Sequence, residues 1–285
     1  MTHEDSRGLW KALSAVELAC TPKIAEQLKP FSRPITDCYE CGVEAPTLSG
    51  KRDQTKDIGV AALFLKHSLN DLRAVWNLLL LGYTSQAGSV AAAAFENALI
   101  TTCVAGNIDR ANKLLDSQTG DSPWSVTELC KMHVKQLYEG ADESVRALSG
   151  KEFEIAWREL YAQYMWLCKI KHPTIPSALH DALSVSLQAG EYIIMAAPDT
   201  RPEDLPNKVM ILVVTINRIW SAIRSFTSAR EIDTKNPKVI DWSERLDSII
   251  KNLSEALDPV MKMPLAFSIS GSRIWSEYRK LRQSK

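Results

Sequence analysis

Between Asp57 and Tyr83 the apolar residues Val60, Leu63, Leu65, Leu69, Leu72, Val75, Trp76, Leu79 and Leu80 recur at three- and four-residue steps. That spacing lines them up along one face of an α-helix and is incompatible with the period-two alternation of a half-buried strand. No stretch of the chain shows strand alternation, and no repeat period appears. The fold class is therefore all-α. After the turn Gly82-Tyr83-Thr84-Ser85, a second helix from Gln86 to Val104 is lined with alanine, whose small side chain lets neighbouring helices approach closely. The short connection makes these two helices an antiparallel pair.

The same patterning predicts helices over Asn107 to Leu115, starting from an Asn cap, and over Val126 to Tyr138. A stronger one spans Lys151 to Lys171, with Phe153, Ile155, Ala156, Leu160, Tyr164, Leu167 and Cys168 on its apolar side. Pro173 disfavours helix at His172 and ends it there. Leu179 to Gln188, Lys208 to Ser228, Trp242 to Leu257 and Ile274 to Leu281 read as further helices, and Glu191 to Ala197 as briefly extended.

Ahead of the first strong helix, two short helical patterns between Leu9 and Leu28 are divided at Thr21-Pro22. Pro30, Pro34, Gly42, Pro46 and Gly50 then punctuate a long loop up to Asp53. The expected organisation is an N-terminal helical arm and loop over residues 1–53, an up-and-down antiparallel bundle over 54–228, and C-terminal helices packing on it over 229–285.

A chain of 285 residues buries most of its apolar side chains without a cofactor to hold it together. Lys plus Arg and Asp plus Glu number 34 each, so no net field draws the molecule to nucleic acid or to an anionic membrane, and any such binding is local. Ala87 to Gly106 carries Glu96 and Asn97 near its middle, and Val209 to Ile216 is too short for a span, so no membrane partner is expected. The opening MTHEDSRGLW lacks the basic-then-apolar order of a secretory signal, which gives a cytoplasmic expectation. Six thinly spread cysteines fit reduced thiols rather than a disulfide framework.

Several constellations carry possible chemistry. Cys38-Tyr39-Glu40-Cys41 has the gap that lets two thiolates share a zinc ion, and Cys130 with His133 supplies a second half-site from one helical face. The alternative is incidental buried thiols. Cys168 and His172 lie four apart, but side chains on one helix point in parallel and no orienting carboxylate follows. His172, in the last helical turn, either caps carbonyls or, as imidazolium, binds phosphate. Glu96, amid Ala and Phe, either pairs with a basic group among Arg158, Lys169, Lys171 and His172 or faces solvent. At the C-terminus Arg273, Arg279, Lys280, Arg282 and Lys285 interleave with Trp275 and Tyr278, a mixture able to touch RNA or simply a solvated helix. Gly-rich phosphate loops, HExxH, GxSxG and EF-hand spacings are absent.

Two segments carry a resemblance. Leu78-Leu79-Leu80-Leu81-Gly82-Tyr83 leading into Ala92-Ala93-Ala94-Phe95-Glu96-Asn97-Ala98-Leu99 resembles the helical hairpin of uncharacterised bacterial proteins related to the HEPN superfamily. Tyr164-Met165-Trp166-Leu167-Cys168-Lys169-Ile170-Lys171-His172-Pro173 resembles a helix end found later in those proteins. The likeness covers about Asp57 to Thr227. It implies an up-and-down bundle, commonly dimeric, from toxin–antitoxin or phage-defence settings, in which some members cut RNA without metal. Catalytic members carry an arginine four to six residues ahead of a histidine. Here positions five, six and seven before His172 are Leu167, Trp166 and Met165, and Arg158 stands 14 residues away, about 21 Å along an ideal helix. The resemblance thus implies a non-catalytic interaction or regulatory protein with a protein partner or a second copy. The ribonuclease alternative has His172 as acid–base group, Lys169 or Lys171 at the phosphate and Glu96 orienting one of them.

Overall fold

The computed structural model describes residues 3–117, 121–139, 150–172, 178, 197–260 and 262–263. Among them are eight α-helices and no strand: α1 (His3–Glu44), α2 (Lys56–Leu80), α3 (Thr84–Val104), α4 (Ile108–Leu115), α5 (Val126–Glu139), α6 (Gly150–Lys171), α7 (Leu205–Ala229) and α8 (Pro237–Leu257). Short 3-10 turns follow α1 and precede α7. The protein is an all-α bundle. The helices expected at 179–188 and 274–281, most of the extended stretch at 191–197 and the basic-aromatic C-terminus lie outside the described residues.

The helical hairpin forms as its pattern predicts. Val60, Leu65, Leu69, Leu72, Val75 and Leu79 of α2 are buried where it packs on α3, α7 and α1, whereas Leu63, expected on the buried face, points outward and is exposed. The turn between them depends on Gly82, whose φ of 82° suits glycine. A Cβ there would come within 2.7 Å of Pro198, and the Gly82 carbonyl accepts from Asp199 N–H at 2.9 Å, tying the segment before α7 to the hairpin tip.

α3 is the central helix. It packs against α2, α7, α6 and α5 and is buried around most of its circumference by Ala87, Gly88, Ala91, Ala92, Ala94, Phe95, Ala98 and Leu99. Gly88 permits the closest of these approaches, since a Cβ on it would meet Ile170 Cγ2 of α6 at 2.8 Å. By length and composition alone α3 and the Pro202–Ala229 segment are each able to cross a membrane, the second much longer than its apolar run suggests, and both are mostly buried inside the bundle.

The loop expected over residues 30–53 is corrected: α1 continues through Pro30 and Pro34 to Glu44. Each proline removes one backbone hydrogen bond and crowds the preceding turn. The compensating gain is visible in Ile24, Leu28, Phe31, Ile35, Cys38, Cys41 and Ala45, which recur at three- and four-residue steps and are all buried in the single core. Gly42 belongs to the same seam, because a Cβ there would lie 2.5 Å from Leu69 Cδ2 and 3.2 Å from Ile223 Cδ1. α8 closes over the end of α1, with Trp242 Nε1 donating to the Cys41 carbonyl at 3.0 Å and Arg245 pairing with Glu44.

Buried charges fasten distant segments. Asp204 and Lys208, both fully buried on adjoining turns, form an ion pair that Thr84 Oγ1 and Asn207 Nδ2 complete by donating to Asp204. Arg230 donates to the carbonyls of Ala45 and Leu48 and to Asp53, which joins the α1–α2 connection to the end of α7.

Gly88→Val is expected to lower unfolding stability by about 1–3 kcal/mol through overpacking against Ile170. Gly59→Ala, on an exposed face of α2 where a Cβ meets nothing within 4 Å, is expected to raise it by about 0.5–1 kcal/mol. Urea unfolding followed by far-ultraviolet circular dichroism checks both.

Candidate functional site

The residues singled out around Glu96 and His172 meet where α3 crosses α6. Glu96 is half-buried, and its Oε1 accepts from the Tyr164 hydroxyl at 2.8 Å. Its partner is thus a neutral phenol rather than any of the basic groups considered. The Tyr164 ring packs on Phe95, with centroids 5.7 Å apart, and on Tyr161 at 6.1 Å. Burial, then hydrogen bonds to Cys168 and Glu96, push the Tyr164 phenol well above its ordinary value. A phenol held so firmly protonated donates to a carboxylate and does not serve as a base near neutral pH.

Cys168 lies one turn further along α6. Burial raises its thiol, and the Tyr164 hydrogen bond and the Lys171 charge offset this only in part. His172 sits just past the helix, exposed, with its backbone N–H closing the last turn onto the Cys168 carbonyl at 2.8 Å. Lys171 is exposed and Lys169 half-buried. Arg158 lies four turns back and pairs with Glu154 at 2.9 Å. The structure therefore brings Glu96, Tyr164 and Cys168 into one cluster, with the Lys171 charge near Cys168 and exposed His172 joined to it through its backbone alone.

The cysteine half-sites are placed apart. Cys38 and Cys41 are buried on α1 against α8 and α7. Burial and then the neighbouring Cys41 push the Cys38 thiol up, and burial raises Cys41 to about 11 despite the opposing Arg245 charge. Cys130 and His133 are buried on α5, where burial raises the thiol to about 12. The four do not converge into a ligand set: among the described residues no three His, Cys, Asp or Glu side chains group to hold a metal. The zinc reading is corrected accordingly. The CxxC spacing here serves a helix seam, in which two small apolar thiols pack three residues apart.

The second half-site has a different partner. Arg218 of α7, which the sequence reading did not single out, places Nη1 2.9 Å from His133 Nε2 and its guanidinium carbon 5.8 Å from the Phe95 ring centre. Burial, followed by the arginine charge, holds the His133 imidazole well below its usual value. The two residues are 85 apart in sequence, so only the packing of α5 on the α3–α7 core reveals the pair.

No family model, curated protein or solved structure matches the chain.

Five of the six thiols are buried and Cys20 alone is partly exposed. A chromogenic disulfide reagent at pH 8 is expected to modify one thiol rapidly in the native protein and all six in denaturant; rapid modification of Cys38 or Cys41, located by peptide mapping, contradicts their packing. Tyr164→Phe, which leaves the Glu96 carboxylate without its donor, is expected to cost about 1–3 kcal/mol in urea unfolding.

Proposed function

We propose that the chain is a non-catalytic helical interaction or regulatory protein of the HEPN-like kind, acting in the cytoplasm of a bacterial defence or stress system. The observation that carries this reading is the amino-terminal half of α1. Trp10 is 73% exposed and Leu18 77% exposed, with Val16 exposed between them, whereas the second half of the same helix is sunk in the core. Glu17 fastens this segment to Tyr83 through a side-chain hydrogen bond. Large apolar side chains presented together on one helical segment are the usual mark of a protein contact, and a partner protein or a second copy of this chain supplies the missing cover.

The other support is chemical. Glu96 is engaged by a phenol and no arginine precedes His172 at catalytic spacing. The described thiols that are buried are held protonated by that burial. Such groups suit a clasp between helices better than proton transfer at a ribose hydroxyl.

Wild type and His172→Ala are expected to leave labelled RNA equally intact in EDTA. Cleavage by wild type that is lost in His172→Ala replaces this reading with a metal-independent ribonuclease. Gel filtration with light scattering adds the mass, and Trp10→Glu with Leu18→Glu is expected to abolish any self-association while leaving helix content unchanged.

A further inference from the structure

Buried arginines in folded chains face carboxylates, because an unpaired charge away from water is costly. Arg218 faces none. Its neighbours are the His133 imidazole, the Phe95 ring and Cys130, and Cys130 is the one titratable group whose charge raises it. No described Asp or Glu forms an ion pair with it, and burial pulls the guanidinium down to about 10.

The hydrogen-bond inventory of the pair is one-sided. His133 is 2% exposed and stays neutral. Facing an arginine N–H it accepts at Nε2, so its own proton resides on Nδ1. Nδ1 is buried without a partner, and so is Arg218 Nε. Two side chains thus offer buried N–H donors, and among the described residues no acceptor answers them. The fixed geometry of guanidinium sharpens the point. Nη1 is directed to His133, which leaves Nε and Nη2 on the other edge of the plane, the pair that matches two oxygens of a carboxylate or phosphate. Arg218 as a whole is half-buried while its Nε is enclosed, so an anion approaching from solvent reaches this edge by displacing the side chains that cover Nε.

We propose that the Nε–Nη2 edge of Arg218, oriented by His133, is a binding site for a small oxyanion that accepts both N–H groups in a bidentate bond. The bound anion compensates the arginine charge and braces α7 against α5. The inference is independent of the interaction role proposed above, since it concerns another face of the bundle.

The test uses the full chain, titrated separately with inorganic phosphate and with acetate against sodium chloride at matched ionic strength, followed by thermal unfolding and calorimetry. Wild type is expected to show saturable stabilisation beyond the chloride control. Arg218→Met, which keeps the length and removes the charge, is expected to lose that response. Arg218→Lys, which keeps the charge without the planar edge, is expected to weaken binding about tenfold. A response to phosphate alone assigns a phosphoryl ligand, and a response to acetate alone or to both assigns a carboxylate-sized site. Two results overturn the proposal: a wild type no more stabilised by either anion than by chloride, or an undiminished response in the variants. If Arg218→Met does not fold, the affinity of Arg218→Lys decides.

Discussion

The approach of α3 to its neighbours is the constraint on which the rest of the molecule depends. Gly88 and the alanines at 87, 91, 92, 94 and 98 remove side-chain bulk, so that α2, α6 and α7 close directly on the α3 backbone. A helix buried on most sides cannot leave its polar groups to water, and those along the middle and end of α3 have partners that follow from this, whereas the Ser85 hydroxyl near its start is buried without one. Asn97 reaches across to His67 and Asp71 of α2, Thr101 and Thr102 turn back to carbonyls four residues earlier, and Glu96 meets the Tyr164 hydroxyl. The cluster considered for catalysis is, on this view, a consequence of packing a carboxylate-bearing helix tightly.

Charged side chains in the interior follow a second rule: even where their ion pair is local, as in Asp204–Lys208 and Arg52–Asp57, their further hydrogen bonds join segments far apart in sequence. Thr84 at the start of α3 meets Asp204 at the start of α7, and Arg230 at the end of α7 binds the carbonyls that terminate α1. Asp57 at the start of α2 receives Arg52 and the Gly106 N–H. Removing one member of such a buried set costs about 3–5 kcal/mol, because it strands the other. Against this background Arg218 is the exception, a cation that meets an imidazole and, among the described residues, no acid.

The sequence disclosed α2 and α6 because their apolar residues keep helical period, α3 through its alanines and α7 through its apolar run. It misled at α1, where Pro30 and Pro34 dominate the local signal while the Ile24–Leu28–Phe31–Ile35–Cys38 stripe carries the true one. Periodicity over about four turns outweighs two missing hydrogen bonds once that stripe has a core to enter. Glu96 was legible as a carboxylate in need of a partner, but its partner was not, because a tyrosine 68 residues away gives no pairing signal in the chain. His133 was legible only as a ligand type, and its meeting with Arg218 depends on how α5 docks.

Burial sets the direction of the shifts among the thiols and the phenol of this bundle. Catalytic thiols and phenols are lowered toward neutral pH by nearby positive charge or helix ends. In this bundle burial is the leading influence on Cys38, Cys41, Cys103, Cys130, Cys168 and Tyr164, and it moves every one of them upward. Where positive charge does stand close, as Arg245 does to Cys41 and Lys171 to Cys168, it is outweighed. A fold that stabilises the neutral form of these thiols and of this phenol uses them for packing, and two features it does not close are the exposed apolar residues of the α1 arm and the donors on the Nε–Nη2 edge of Arg218.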